Sequence, residues 1–97
     1  MQVKEFFNKV GWLKDSCKGD VGPWANVDIT FYNTSDKRCD ETEFTISNVF
    51  TNEGIEELDE LFSDFCKENN FSENQVCDIR VVMLAATEDE LIAKESN

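Results

Sequence analysis

A long amphipathic segment in the second half of the chain places the strongest constraint on the fold. Its apolar side chains recur at steps of three and four residues, so a helix puts them on one stripe: Ile55, Leu58, Leu61, Phe62, Phe65 and Cys66. Thr51 or Asn52 can cap the start of this helix, and Asn69 and Asn70 form a stop signal. A helix with one apolar side needs another layer to cover that side. The rest of the chain must supply this layer.

Alternating segments on both sides of the helix predict that this layer is a sheet. Apolar and polar residues alternate in residues 25–33 and 41–50, as they do in half-buried strands. The polar stretch 33–40 predicts the turn of an antiparallel hairpin between them. After the helix, residues 75–85 are rich in β-branched side chains and predict a third strand.

Shorter segments at the two ends predict further helices. Near the N terminus, an apolar stripe recurs at helical spacing: Val3, Phe6, Phe7, Val10 and Leu13. Residues 18–24 contain glycines and the single proline and predict the loop that follows. Thr87 and Glu90 have the spacing of a capping box for a short terminal helix, and Ser72 with Gln75 offers another before the third strand.

Together these elements predict a single small α+β domain over residues 1–97. With 97 residues, of which 40% are hydrophobic, the chain can build one core. The order is helix, strand, strand, helix, strand, short helix, and a helical crossover after a hairpin lets the third strand lie antiparallel beside the first. We therefore expect a three-stranded antiparallel sheet in the order 2-1-3, with the helices packed on one face.

The acidic charge is concentrated in the second half of the chain. Residues 1–38 carry six Lys or Arg against five Asp or Glu, whereas residues 39–97 carry three against sixteen. A large part lies on the central helix, opposite its apolar stripe, in a set that we name the acidic ladder: Glu53, Glu56, Glu57, Glu60, Asp64 and Glu68. Counting Asp59 at its border, the helix carries one carboxylate per roughly 3 Å, close to the roughly 3.4 Å between phosphates along one nucleic-acid strand.

Two interpretations of the acidic ladder stay open. An acidic helix face commonly serves as a solvated surface that keeps a small protein soluble. Alternatively, the ladder binds a basic partner, with Asp40, Glu41 and Glu43 on the second strand and the acids of residues 87–90 as flanks.

Other classes of function have little support in the sequence. Without histidine or a C-x-x-C pair, the chain lacks the usual general base and the usual zinc ligands, so we expect no catalysis, metal or cofactor. Net acidity disfavours direct binding of nucleic acid. No apolar stretch approaches the length of a membrane span, so we expect a cytoplasmic protein that does not bind membranes. In that compartment Cys17, Cys39, Cys66 and Cys77 are expected to be free thiols, although two disulfides can be drawn.

In size, one-sided acidity and lack of catalytic groups, the chain resembles the small anti-restriction and anti-CRISPR proteins of phages and mobile elements, several of which present carboxylates in place of DNA phosphates. The resemblance is one of overall character. It implies a non-enzymatic inhibitor or regulator of a basic nucleic-acid-binding protein. The alternative is a small intracellular adaptor or regulatory domain that binds through an apolar surface, for instance Trp12, Trp24 and an open strand edge, with the acids serving solubility. Tyr32 is a further candidate anchor.

Overall fold

The computed structural model describes residues 2–11, 22–34, 36–71 and 76–95. These residues form three helices and three strands: α1 Val3–Lys9, β1 Trp24–Asn33, β2 Arg38–Ile46, α2 Asn52–Asn69, β3 Val76–Ala85 and α3 Glu88–Glu95. The strands pair in one antiparallel sheet in the order β2-β1-β3. The predicted α+β class, the order of the elements and the order of the strands are therefore confirmed.

An aromatic cluster fixes α2 on the sheet. Alternate residues of β1 from Ala25 to Phe31 are almost fully buried on the face that packs against the helix. Phe31 contacts the rings of Phe62 and Phe65 edge-on, with ring centroids 5.9 and 5.6 Å apart. Phe44 of β2 meets the same two rings at 6.5 and 6.0 Å. The apolar stripe of the sequence is thus the inner face of α2.

The two shorter helices pack at different places. Helix α1 contacts α2 and β3 and contributes Val3 and Phe6 to the same core. Helix α3 contacts β3 and β1, and its Leu91 is only 1% exposed.

The first helix is shorter than its apolar stripe predicts. It ends at Lys9, and Gly11 adopts a left-handed φ of 76°, which stops the helix. The rest of the predicted stripe, at Leu13, and the first part of the predicted loop lie outside the described residues.

Strand β2 is displaced toward the N terminus relative to its prediction. It begins at Arg38 rather than at residue 41, and it ends at Ile46 rather than at residue 50. Left-handed φ values of 56° at Lys37 and 54° at Asn48 bound the strand on its two sides. The hairpin turn is therefore tighter than the polar composition of residues 33–40 indicates.

Both ends of α2 are capped. Thr51 Oγ1 accepts a hydrogen bond from the Gly54 N–H at 3.2 Å, which selects Thr51 as the N-cap. Gly54 permits a close approach there, because a Cβ at this position would lie 2.5 Å from the carbonyl oxygen of Asn48. At the other end, Asn70 adopts a left-handed φ of 59°, and its N–H bonds back to the Lys67 carbonyl.

The predicted capping box at the start of α3 forms with one change. Thr87 Oγ1 accepts from the Glu90 N–H at 3.2 Å, as predicted. The Glu90 carboxylate accepts from the N–H of Ala86 at 3.3 Å, one residue before the cap. The other predicted box, at Ser72 and Gln75, lies outside the described residues.

Candidate functional site

Helix α2 holds the acidic ladder on the side opposite the core. Leu58 and Phe62 are at most 1% exposed on its inner face. Five ladder residues are exposed on the outer face, and Glu57 is half-buried. At about 1.5 Å per residue, the ladder extends about 22 Å from Glu53 to Glu68. The capped helix therefore carries the ladder as a row along its outer surface.

No ion pair in the described part of the chain neutralises the acidic ladder. The ion pairs found there are Lys4 with Asp59, Arg38 with Asp36, Arg38 with Asp40, and Arg80 with Asp78. The first of these joins α1 to the border of the ladder, with an N–O distance of 3.7 Å. Within α2, Lys67 is the single basic residue and is exposed. Within the described ranges, therefore, no cation compensates the carboxylates of the ladder.

Glu41 and Glu43 of β2 lie on the other side of the sheet from the ladder. Phe44 points toward α2, and side chains alternate along a strand, so Glu43 points away from the helix. Glu41, two residues earlier, shares that side, where its carboxylate accepts a hydrogen bond from Thr30 Oγ1 at 3.5 Å. The structure does not bring these two predicted flanks together with the ladder.

Asp40 lies on the α2 side of the sheet but has local partners. It pairs with the core residue Phe31 in the β1–β2 register. Its Oδ1 accepts from Arg38 Nε at 2.9 Å, and its Oδ2 accepts from Nδ2 of the buried Asn33 at 3.0 Å. Asp40 therefore holds the hairpin end together, and its charge is compensated there.

The acids of residues 87–90 belong to a separate element. Glu88, Asp89 and Glu90 occupy the first turn of α3 and are exposed. Acidic side chains at this position favour the helix through its dipole, and Glu90 also bonds the Ala86 N–H. They have a structural role at α3 that does not depend on the ladder.

The three thiols that the structure describes give no indication of an activated nucleophile. Cys39, Cys66 and Cys77 form no disulfide bond, and Cys66 is buried. Burial and the neighbouring Cys39 raise the pKa of the Cys77 thiol above its ordinary value, which disfavours the reactive thiolate. Among the described residues, no group of three or more Cys, Asp or Glu is placed to hold a metal ion. The helices within the described ranges are too short or too polar to cross a membrane.

A groove beside the ladder was not indicated by the sequence. It lies between α1 and α2, has a volume of about 330 Å³, and is lined by Lys4, Phe7, Asn8, Asn52, Ile55 and Glu56. Phe7 and Ile55 were assigned to apolar stripes, but only the packing of the two helices shows that they face each other at the surface. One wall of the groove, Glu56, belongs to the ladder.

Comparison with protein-family models, curated proteins and solved structures found no match for this chain.

Proposed function

We propose that this protein is a non-enzymatic inhibitor or regulator that acts in the cytoplasm on a basic nucleic-acid-handling protein. The acidic ladder occupies the surface on which that partner binds phosphates, in the manner of an anti-restriction or anti-CRISPR protein. The observation that carries the proposal is a row of six carboxylates on one side of a capped helix, without an ion pair among the described residues. Charge arranged in this way steers and orients an oppositely charged partner.

The spacing of the ladder supports this function because it costs stability. Like charges four residues apart, as at Glu56 and Glu60 or Glu60 and Asp64, each destabilise an isolated helix by roughly 0.2–0.5 kcal/mol. Interleaved lysines would remove that cost, yet α2 contains only Lys67 near its end. A basic partner relieves the repulsion when it binds. Packing of the inner face fixes the helix backbone before binding, so the ordering cost is confined to the side chains of the ladder.

If the acids served solubility alone, net charge would suffice, and the carboxylates would not need to lie in a row on one helix face. An apolar adaptor surface has less support, because the exposed large apolar side chains belong to different parts of the fold: Val10 after α1, Tyr32 on β1, Val82 on β3 and Ile92 on α3. Trp24 is half-buried at the start of β1, and Trp12 lies outside the described residues.

Displacement of proteins from immobilised DNA tests the proposal. A lysate of the native host is loaded on DNA-cellulose, the column is washed, and the purified protein is applied at low salt. If the ladder replaces DNA phosphates, the protein releases one or a few basic proteins as stable complexes, which mass spectrometry identifies. The same elution at high salt should leave no complex, because exposed charge pairs are screened within roughly 10 Å at 0.1 M ionic strength.

Two matched variants separate the ladder from net charge. The ladder variant replaces four of its acids by amides: Glu56→Gln, Glu57→Gln, Glu60→Gln and Asp64→Asn. The distal variant removes the same four charges elsewhere: Glu41→Gln, Glu43→Gln, Glu88→Gln and Asp89→Asn. We expect the distal variant to release the same proteins as the wild type and the ladder variant to release none. Equal release by both variants contradicts the proposal, and loss of release in Trp24→Ala with the ladder variant unaffected favours the apolar adaptor instead.

A further inference from the structure

One cysteine lies on the face of the sheet that points away from α2. Cys39 of β2 pairs directly with Tyr32 of β1 in the antiparallel register, so the two side chains project from one face. Tyr32 is 37% exposed, whereas Phe31, the residue before it, is buried against α2. The Cys39 thiol is likewise exposed. It therefore stands on the opposite side of the sheet from the core.

A β-bulge places Cys77 near the same point of the sheet. Val76 of β3 lies opposite Phe31 of β1, and Asp78 lies opposite Thr30. Because Thr30 and Phe31 are consecutive, Cys77 is an extra residue between two paired ones. Val76 is buried in the core, whereas Cys77 is exposed. A bulge of this kind re-aims a side chain and interrupts the alternation of its strand.

The two thiols contact each other across the central strand. Strands β2 and β3 flank β1, and the side chains of Cys39 and Cys77 form a hydrogen bond. Neighbouring strands lie about 4.8 Å apart, so β2 and β3 are separated by about 9.6 Å. A disulfide requires Cα atoms within about 7 Å of each other. An S–S bond therefore cannot join the pair unless the strands move.

A metal ion bridges a wider gap between two sulfurs than a disulfide does. The S–S bond is about 2.05 Å long, whereas two metal–sulfur bonds of about 2.3 Å place the sulfurs up to about 4.6 Å apart. Thiolates select soft cations such as Cu(I), which accepts two of them in a linear arrangement. Structural Zn(II) takes four ligands, and within the described ranges no group of three or more Cys, Asp or Glu could hold a metal. The pair therefore favours the two-coordinate ion.

We propose that Cys39 and Cys77 form a binding site for a soft monovalent cation, Cu(I), on the face of the sheet that points away from α2. Both thiols release their protons to solvent as the ion binds, and two Cu–S bonds replace the hydrogen bond between them. The bound ion links β2 to β3 over β1. The inference does not depend on the proposed function, because the acidic ladder lies on the other side of the sheet.

Competition with a colorimetric chelator tests the proposal. The reduced protein is titrated anaerobically into the Cu(I) complex of bicinchoninate, whose absorbance reports how much of the ion the protein removes. We expect the wild type to remove one Cu(I) per chain. Cys39→Ser and Cys77→Ser should each weaken binding at least about a hundredfold, since loss of an outer-shell partner alone costs about 10–100-fold.

The matched control is Cys17→Ser, which removes a thiol outside the pair and should leave the affinity unchanged. Circular dichroism establishes that each variant is folded. X-ray absorption at the copper edge, which needs no substitution, should report two sulfur neighbours in the wild type. The proposal is overturned if the wild type removes no Cu(I) from the chelator, or if either variant of the pair binds it as tightly as the wild type. Loss of binding in Cys17→Ser equally overturns it.

Discussion

The outer face of α2 and the end of the β1–β2 hairpin both carry several acidic side chains, but their surroundings differ. At the hairpin end, Arg38 pairs with Asp36 and Asp40, and the buried Asn33 donates hydrogen bonds to both carboxylates. On α2, the described residues place no cation within ion-pair distance of the acidic ladder. At the hairpin the acids hold the fold together, whereas the ladder adds like-charge repulsion that no ion pair among the described residues relieves.

The difference shows that the number of acids in a sequence does not identify a binding surface. What matters is which cations the fold brings beside them. Asp40 and the ladder are predicted as parts of one candidate site, yet among the described residues Asp40 has a cation partner and the ladder has none. The following substitutions test this contrast.

A substitution on the inner face of α2, which holds the ladder on the sheet, should lower the free energy of unfolding most. Phe62→Ala removes a side chain that is 1% exposed and that contacts Phe31, Phe44 and Phe65. We expect the free energy of unfolding to fall by about 3–5 kcal/mol, from lost burial and the cavity left behind. Urea denaturation followed by circular dichroism measures this change. Glu56→Ala, on the outer face of the same helix, should change it by less than about 0.5 kcal/mol.

Removing an acid at the end of the hairpin should also lower the free energy of unfolding, but by less. Asp40→Ala removes the acceptor of the bonds from Arg38 and Asn33. We expect a loss of about 1–2 kcal/mol in the free energy of unfolding. The neighbouring exposed residue provides the control, since Glu41→Ala should cost less than about 0.5 kcal/mol. Equal effects of the two substitutions would show that Asp40 is not a structural residue.

Removing a ladder charge should raise the free energy of unfolding rather than lower it, and this change should be the smallest of the three. Glu60→Gln removes like-charge pairs with Glu56 and Asp64 and should raise the free energy of unfolding by about 0.4–1 kcal/mol at low salt. Asp59→Asn, one residue earlier, loses the ion pair with Lys4 and should be neutral or destabilising by up to about 1 kcal/mol. Denaturation at low and high salt checks both, because screening should remove the gain from Glu60→Gln. If Glu60→Gln lowered the free energy of unfolding, the ladder acids would not differ from the hairpin acids in this way.

The sequence predicted the parts of this structure that depend on local periodicity. The stripe from Ile55 to Cys66 identified the inner face of α2. The alternation of apolar and polar residues identified the strands, and the helical crossover after the hairpin predicted their order. The sequence did not predict the limits of β2, because Lys37 carries no sequence signal for its left-handed φ, and the apolar residues that follow Asn48 outweighed the preference of Asn for that conformation.

Contacts between elements could also not be predicted from the sequence. The separation of Glu41 and Glu43 from the ladder depends on strand register, and the Lys4–Asp59 pair depends on how α1 packs against α2. Such contacts join residues far apart in the chain, so the periodicity within one segment does not predict them. The ladder could be named from sequence because a single helix supplies it.

The central claim is that the acidic ladder binds a basic partner through its charge. Its most direct test is the salt dependence of the dissociation constant for a protein released from DNA-cellulose, measured by isothermal titration calorimetry for the wild type and the ladder and distal variants. We expect the wild-type and distal-variant complexes to weaken steeply as salt rises, and the ladder variant to bind far more weakly with a flatter salt dependence. A ladder variant with the affinity and salt dependence of the wild type would contradict this claim.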